Sequence, residues 1–253
     1  TMLSTELHRL YSRVLLPRYI KGDLPRERCF LKKETWYEEQ NIRFILGVRV
    51  TELNIAENQV STSDGQIFKY NKLLLATSGD LLKFPNELPG ISYLRTIDDA
   101  DYFLELLGDF PSLPSSLQRE GIIGGSFIAV EYINFFAQQK IQTDLFMLEN
   151  TFFGGVLDAD SFAIIQNKAE AEGIKLHTNK NVTKLLGEKS LEGLMIENET
   201  FPLGILGVGI GIRPKFDWLK SAGIEVNRGI LTNEFLETNI SNIYSSGDAA
   251  EFY

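Results

Sequence analysis

At 253 residues the chain is long enough to bury a substantial core, in one large domain or two ordinary ones. Its 43% hydrophobic and 23% charged residues are those of a globular protein, and 34 acids against 25 bases, with no Lys/Arg-rich block, argue against nucleic-acid binding. No apolar run reaches the roughly 18 residues of a spanning helix, so neither a membrane span nor a secretory signal is expected. Cys29 is the one cysteine, which excludes a disulfide framework, a Cys-rich metal site and a redox dithiol, and points to a reducing, cytoplasmic home. His8 and His177 lie in unrelated contexts and read as surface or ordinary structural histidines.

In chain order, Thr1–Ser4 reads as the tail of a strand and residues 7–20 as helical or irregular, broken at Pro17. A short helix is predicted over 34–40, anchored by Trp36 and Tyr37, and extended chain over 41–53. Residues 60–70 predict a hairpin, because Asp64-Gly65 sits between alternating segments. Leu73-Leu74-Leu75-Ala76 is wholly apolar, the pattern of a strand buried on both faces, and ends at the small-residue turn Thr77-Ser78-Gly79. Pro85, Pro89 and Gly90 mark a candidate boundary. Beyond it, helices are predicted over 98–107, 127–139 and 162–172, and strands at 121–123, 143–148 and 174–177. Residues 182–199 read as a hairpin or meander, 203–212 as a glycine-interrupted apolar segment, and 218–222 as a short helix. Strands follow at 226–231 and 242–245, and Ser246-Gly247-Asp248 is a turn placed where a helix would begin.

The organising stretch is Gly121-Ile122-Ile123-Gly124-Gly125-Ser126-Phe127-Ile128-Ala129-Val130-Glu131. It reads as a strand, a tight turn and the opening of a helix. Such a turn lets a pyrophosphate sit against bare backbone amides, where the helix dipole favours negative charge. Gly124 fits the first glycine of G-x-G-x-x-G/A and Ala129 its last position, while Ser126 stands at the middle one. An ordinary strand–turn–helix is the competing reading. Glu149 lies 25 residues beyond Gly124, where an acid accepts hydrogen bonds from the adenosine ribose and repels a 2′-phosphate, which favours NADH over NADPH. A plain surface carboxylate at a strand end is its alternative.

The glycine turn, the turn after Leu75 and Ile243-Tyr244-Ser245-Ser246-Gly247-Asp248 together resemble the pyridine-nucleotide-disulfide oxidoreductase superfamily. The likeness is toward the branch of nitrite reductase large subunits and rubredoxin and ferredoxin reductases. Leu10–Leu16, Tyr70–Thr77, Leu94-Arg95-Thr96 with Asp98-Asp99-Ala100, Gly211-Ile212-Arg213-Pro214, and Ala222-Gly223 through Gly229-Ile230 extend it across the chain in the right order.

The resemblance implies an α/β fold with two Rossmann-like FAD/NAD(P)-binding domains. The FAD-type domain (1–93 and 211–253) is expected to be discontinuous and to lack its first βα unit, with an NAD(H)-binding domain (94–210) inserted. It also implies FAD contacts from Arg13, Val50, Ala76, Thr77, Arg95, Gly247 and Asp248, and NADH contacts from Gly124, Gly125, Ser126, Phe127, Ile128, Glu149 and Gly211. Asp248 would bond the ribityl chain or cap a helix, roles that can coexist, and Glu131 would sit near the nicotinamide–flavin junction or simply on a helix surface. No protein side chain is assigned as catalytic and none as a metal ligand. The function implied is hydride transfer from NADH to FAD, then electron delivery to a separate acceptor protein or domain, with oligomeric state open. The alternative is a non-catalytic nucleotide-binding scaffold or a fragment of a longer flavoprotein reductase. Three departures from the family pattern stand out: Ser78-Gly79 inverts the usual order, Ser126 replaces a glycine, and Lys140 stands where a helix-ending glycine is expected.

Overall fold

A computed structural model describes residues 1–252, which divide into two compact units. The first is assembled from Thr1–Tyr11, Phe30–Leu81 and the chain from Ile212 onward; the second from Ser12–Cys29 and Leu82–Gly211. The segments 12–29 and 82–93 thus group with the second unit.

The second unit is built on five parallel strands: β1 (Ile91–Tyr93), β2 (Glu120–Ile123), β3 (Thr143–Phe146), β4 (Ile174–His177) and β5 (Ile205–Val208). Their order in the sheet is β4-β3-β2-β5-β1. Helix α1 (Ile97–Asp109) follows β1, α2 (Phe127–Gln139) joins β2 to β3, and α3 (Ala159–Ala171) joins β3 to β4. Because β2 sends the chain toward β3 while β5 lies on its other side, strand order reverses between β2 and β5. Open α/β sheets bind ligands at the carboxyl ends of such a pair. An antiparallel meander over 184–202 fills the long return from β4 to β5.

The helix faces follow their sequence periodicity. In α2, Ala129, Tyr132, Phe135 and Phe136 are buried, and Tyr132 lies so close to β5 that a Cβ on Gly207 would meet its ring at 2.6 Å. The Tyr132 hydroxyl shares a buried 2.8 Å hydrogen bond with Ser92 of β1. Thr96 and Asp99 form a reciprocal capping box at the start of α1. Lys140 ends α2 with a left-handed backbone (φ 56°, ψ 34°), the conformation a glycine adopts without a Cβ clash. Lys140→Gly is therefore expected to stabilise the protein by about 1 kcal/mol in urea unfolding.

In the first unit, Leu73–Leu75 pairs in parallel with Ile243–Ser245, Met2–Leu3 with Phe44–Ile45, and Ile230–Thr232 with Ala250–Phe252. An antiparallel sheet of Val50–Asn54, Gln59–Thr62 and Ile67–Lys69 contributes Leu53 and Val60 to a core shared with Leu75, Phe216, Leu219, Ile230 and Ile243.

Three readings from sequence are corrected here. The extended run 41–53 is split into two strands by a turn at Gly47 (φ 72°). Leu74 is 61% exposed while Leu75 is buried, so the Leu73–Leu75 strand is covered on one face only. Where a helix is expected at Asp248, a single 3-10 turn (Gly247–Ala249) leads straight into the strand Ala250–Phe252. No helix among the described residues is long and apolar enough to cross a membrane.

Candidate functional site

In the second unit the chain leaves β2 through Gly124, whose φ of 113° is open only to glycine and whose Cβ would fall 2.3 Å from the Gly209 carbonyl oxygen. The Gly124 amide donates to Phe146 at the end of β3 (2.9 Å), and the Gly209 amide donates to Ile123 (2.8 Å), so the ends of β2, β3 and β5 are laced together. Ser126 occupies the N-cap position of α2 in extended conformation, yet its hydroxyl makes no bond to its own helix. It donates instead to the Gly209 carbonyl at 2.8 Å. The opening amides of α2 are left without a side-chain cap, at the positive end of a 13-residue helix.

The other residues expected at this site lie around that turn. Phe127 is 76% exposed and its ring packs 4.5 Å from Phe153, whose amide donates to the Gly125 carbonyl (2.7 Å). Ile128 is half-buried in the first turn of α2. Glu149 is exposed three residues beyond β3, on the loop that Phe153 ties to the turn. Gly211 is exposed with φ 101°, two residues beyond Gly209. Glu131 is half-buried on α2 and pairs with Lys21 at 3.9 Å, and Arg13 opens the 3-10 turn Arg13–Leu15 in the same 12–29 segment. That segment is clamped to α1, where Asp101 accepts from both Arg26 (2.9 Å) and the Tyr19 hydroxyl (2.8 Å). Arg95 lies just before α1, with its amide donating to Asp99 at 3.0 Å.

In the first unit, the exposed Ala76 and Thr77 follow one strand of the Leu73–Leu75/Ile243–Ser245 pair, and Gly247 and Asp248 follow the other. The two turns meet at the carboxyl ends of those strands. Ser246 donates its amide to Leu75 (3.1 Å), and the Ser78 hydroxyl donates to the Asp248 carboxylate (3.1 Å). Ser78 holds φ 52°, taking the left-handed position that the inverted Gly-Ser order leaves to it. Space around Gly247 is open, with nothing within 4 Å of where a Cβ would lie. Val50 opens its strand and packs half-buried against the unit's core.

Sequence reasoning did not single out Gly209, Phe153 or Lys21, and it marked Ser78 only as a departure from the family pattern. Only Gly209 carried a signal, the Gly-x-Gly spacing that follows an apolar strand. The histidines keep structural settings: His177 bonds Asp144 (2.7 Å), which also binds Arg119 (2.5 Å), and His8 packs edge-on to Phe30. Cys29 is buried, and burial pushes its thiol up. Among the described residues no cluster of His, Cys, Asp and Glu is arranged to hold a metal.

The pyridine nucleotide-disulphide oxidoreductase family model matches residues 1–253. The chain belongs to that family. A nitrite reductase [NAD(P)H] of Bacillus subtilis is 28% identical over 99% of this family member and 31% of its own length. An NADH-rubredoxin oxidoreductase of Clostridium acetobutylicum is 27% identical over the whole chain and 62% of its own length. The crystal structure of the latter superimposes with a TM-score of 0.78 at 25% identity, covering all of this chain and 62% of that one. A covalent putidaredoxin reductase–putidaredoxin complex superimposes at 0.91 with 24% identity, over 99% of this chain and 61% of that one, which establishes the likeness of fold. This member of the family thus spans between about a third and under two thirds of these relatives.

Proposed function

We propose that the chain provides the nucleotide-binding frame of an FAD-dependent NADH oxidoreductase that delivers electrons to a separate redox protein or domain. The observation that carries the reading is the uncapped start of α2 at the strand-order reversal, where backbone amides are free to meet a diphosphate. Gly124, Gly125, Ser126, Phe127 and Ile128 frame that seat, Gly211 borders it, and Glu149 accepts from the adenosine ribose. In the first unit the paired turns Ala76-Thr77 and Gly247-Asp248, open to solvent at the carboxyl ends of parallel strands, fit a second nucleotide. Asp248 there accepts hydrogen bonds from the ribityl hydroxyls of FAD, and Val50 supports that unit from its core. Arg13 and Arg95 supply positive charge toward the cofactors, and Glu131 is assigned near the nicotinamide.

FAD, when bound, supplies the redox chemistry, accepting hydride from NADH and releasing electrons to the acceptor. The chain's own residues bind, orient and exclude water, since hydride transfer needs no protein acid or base. The relatives named for rubredoxin and putidaredoxin support a small redox protein as the acceptor class. The competing reading, that these 253 residues hold nucleotide without turning over alone, draws on the partial span of the matched relatives.

Separate calorimetric titrations with NADH, NADPH and FAD divide the two. Binding of both NADH and FAD, with flavin bleaching when NADH is added, supports the reductase, whereas NADH binding alone supports the scaffold. Glu149→Ala is expected to weaken NADH about tenfold and to narrow the preference over NADPH, because a charged acceptor for the ribose is lost. Unchanged NADH affinity in that variant would return Glu149 to a surface role.

A further inference from the structure

Ser126 stands where the dinucleotide fingerprint has a glycine, and its hydroxyl is turned away from the helix it begins. The partner it takes, the Gly209 carbonyl, belongs to a buried residue on the other side of the β2/β5 reversal. Gly209 is held through both of its backbone polar groups: its amide donates to Ile123, and its carbonyl accepts from Ser126. The loop then passes directly over the first turn of α2, since a Cβ on Gly209 would lie 3.0 Å from the Ala129 nitrogen and 3.0 Å from the Ser126 Oγ. Beyond it, Ile210 and Gly211 are exposed, and Gly211 has open space on its Cβ side. A segment with glycines at both 209 and 211 has little stiffness of its own.

We propose that Ser126 is a positioning residue, a hydroxyl bolt that fixes the Gly209–Gly211 loop against the glycine turn and so sets the width of the NADH crevice. The inference rests on the NADH reading given above. It assigns the serine no contact with phosphate: the hydroxyl is spent on Gly209, and the seat on α2 remains backbone alone. Restoring the ordinary fingerprint therefore does not improve the site. Ser126→Gly removes the bolt together with the Cβ, and a buried carbonyl loses its donor.

The test compares Ser126→Ala, Ser126→Gly and Ser126→Thr by hydrogen exchange and by NADH titration of the intact chain. Without nucleotide, the amides of 209–211 are expected to exchange faster in the alanine and glycine variants and at the wild-type rate in the threonine variant, which keeps the hydroxyl. NADH affinity is expected to fall about tenfold in the first two and to be restored by threonine. Tighter or unchanged NADH binding by Ser126→Gly would overturn the proposal, because crowding by the Cβ would then be the serine's main effect. Unchanged exchange at 209–211 in both Ser126→Ala and Ser126→Gly would also overturn it. If the wild-type chain binds no NADH, the functional reading fails while the exchange data still decide whether the bolt exists.

Discussion

Gly124→Ala is expected to eliminate measurable NADH binding and to lower the stability of the second unit by about 3 kcal/mol. Two independent penalties meet at this position. The backbone φ of 113° lies where only glycine is comfortable, and the added methyl would fall 2.3 Å from the Gly209 carbonyl oxygen. Neither obstacle is the end of a flexible side chain, so the turn itself must move. Movement there displaces the bond from the Gly124 amide to Phe146 and shifts the opening amides of α2. Thermal melting should fall by roughly 10 °C for a chain of this size. A variant that melts within 2 °C of wild type and still binds NADH would show that the turn is not built this way.

The second large effect is expected at Glu120, the first residue of β2, which is flanked in register by Thr143 and Ile205. It is fully buried, and neither carboxylate oxygen has a hydrogen-bond partner. Burial pushes its pKa from the ordinary 4.5 up to about 8, with Thr143 exerting a smaller opposing pull. The folded chain therefore holds a proton that the unfolded chain has already released across that range. The stabilisation is fully present below pH 4.5 and is lost as pH rises through 8, a swing of at most about 5 kcal/mol. Glu120→Gln removes the titrating group at nearly constant shape. The variant and wild type should unfold at similar urea concentrations at pH 5, and the variant should be clearly more resistant at pH 9. Parallel pH profiles for the two proteins would refute a buried neutral acid.

Much of this architecture was legible from spacing alone. The Gly121–Glu131 pattern places β2, its turn and α2 correctly because glycine conformation and helical periodicity are local properties. The strand Ile174–His177, after the helix stop at Gly173, is legible for the same reason. What local pattern could not reveal is what a side chain finds across the fold. Ser126 reads as damage to a phosphate cradle until Gly209, 83 residues away, is seen to accept its proton. Leu74 reads as buried because its neighbours are apolar, although coverage depends on which layers pack against each face. Gly47 interrupts a run whose β-branched and aromatic residues favour extension, since one left-handed residue outweighs several weak propensities.

The pairing of Leu73–Leu75 with Ile243–Ser245 also bears on how the chain matures during synthesis. The partners are 170 residues apart, and translation at about 5–20 residues per second separates their emergence by roughly 10–30 s. All strands of the five-stranded sheet leave the ribosome within that interval, so the second unit has its full complement before the first can close. Throughout the delay the leucine strand must wait without its eventual neighbour, which makes the nascent first unit the stage at which a chaperone would matter most.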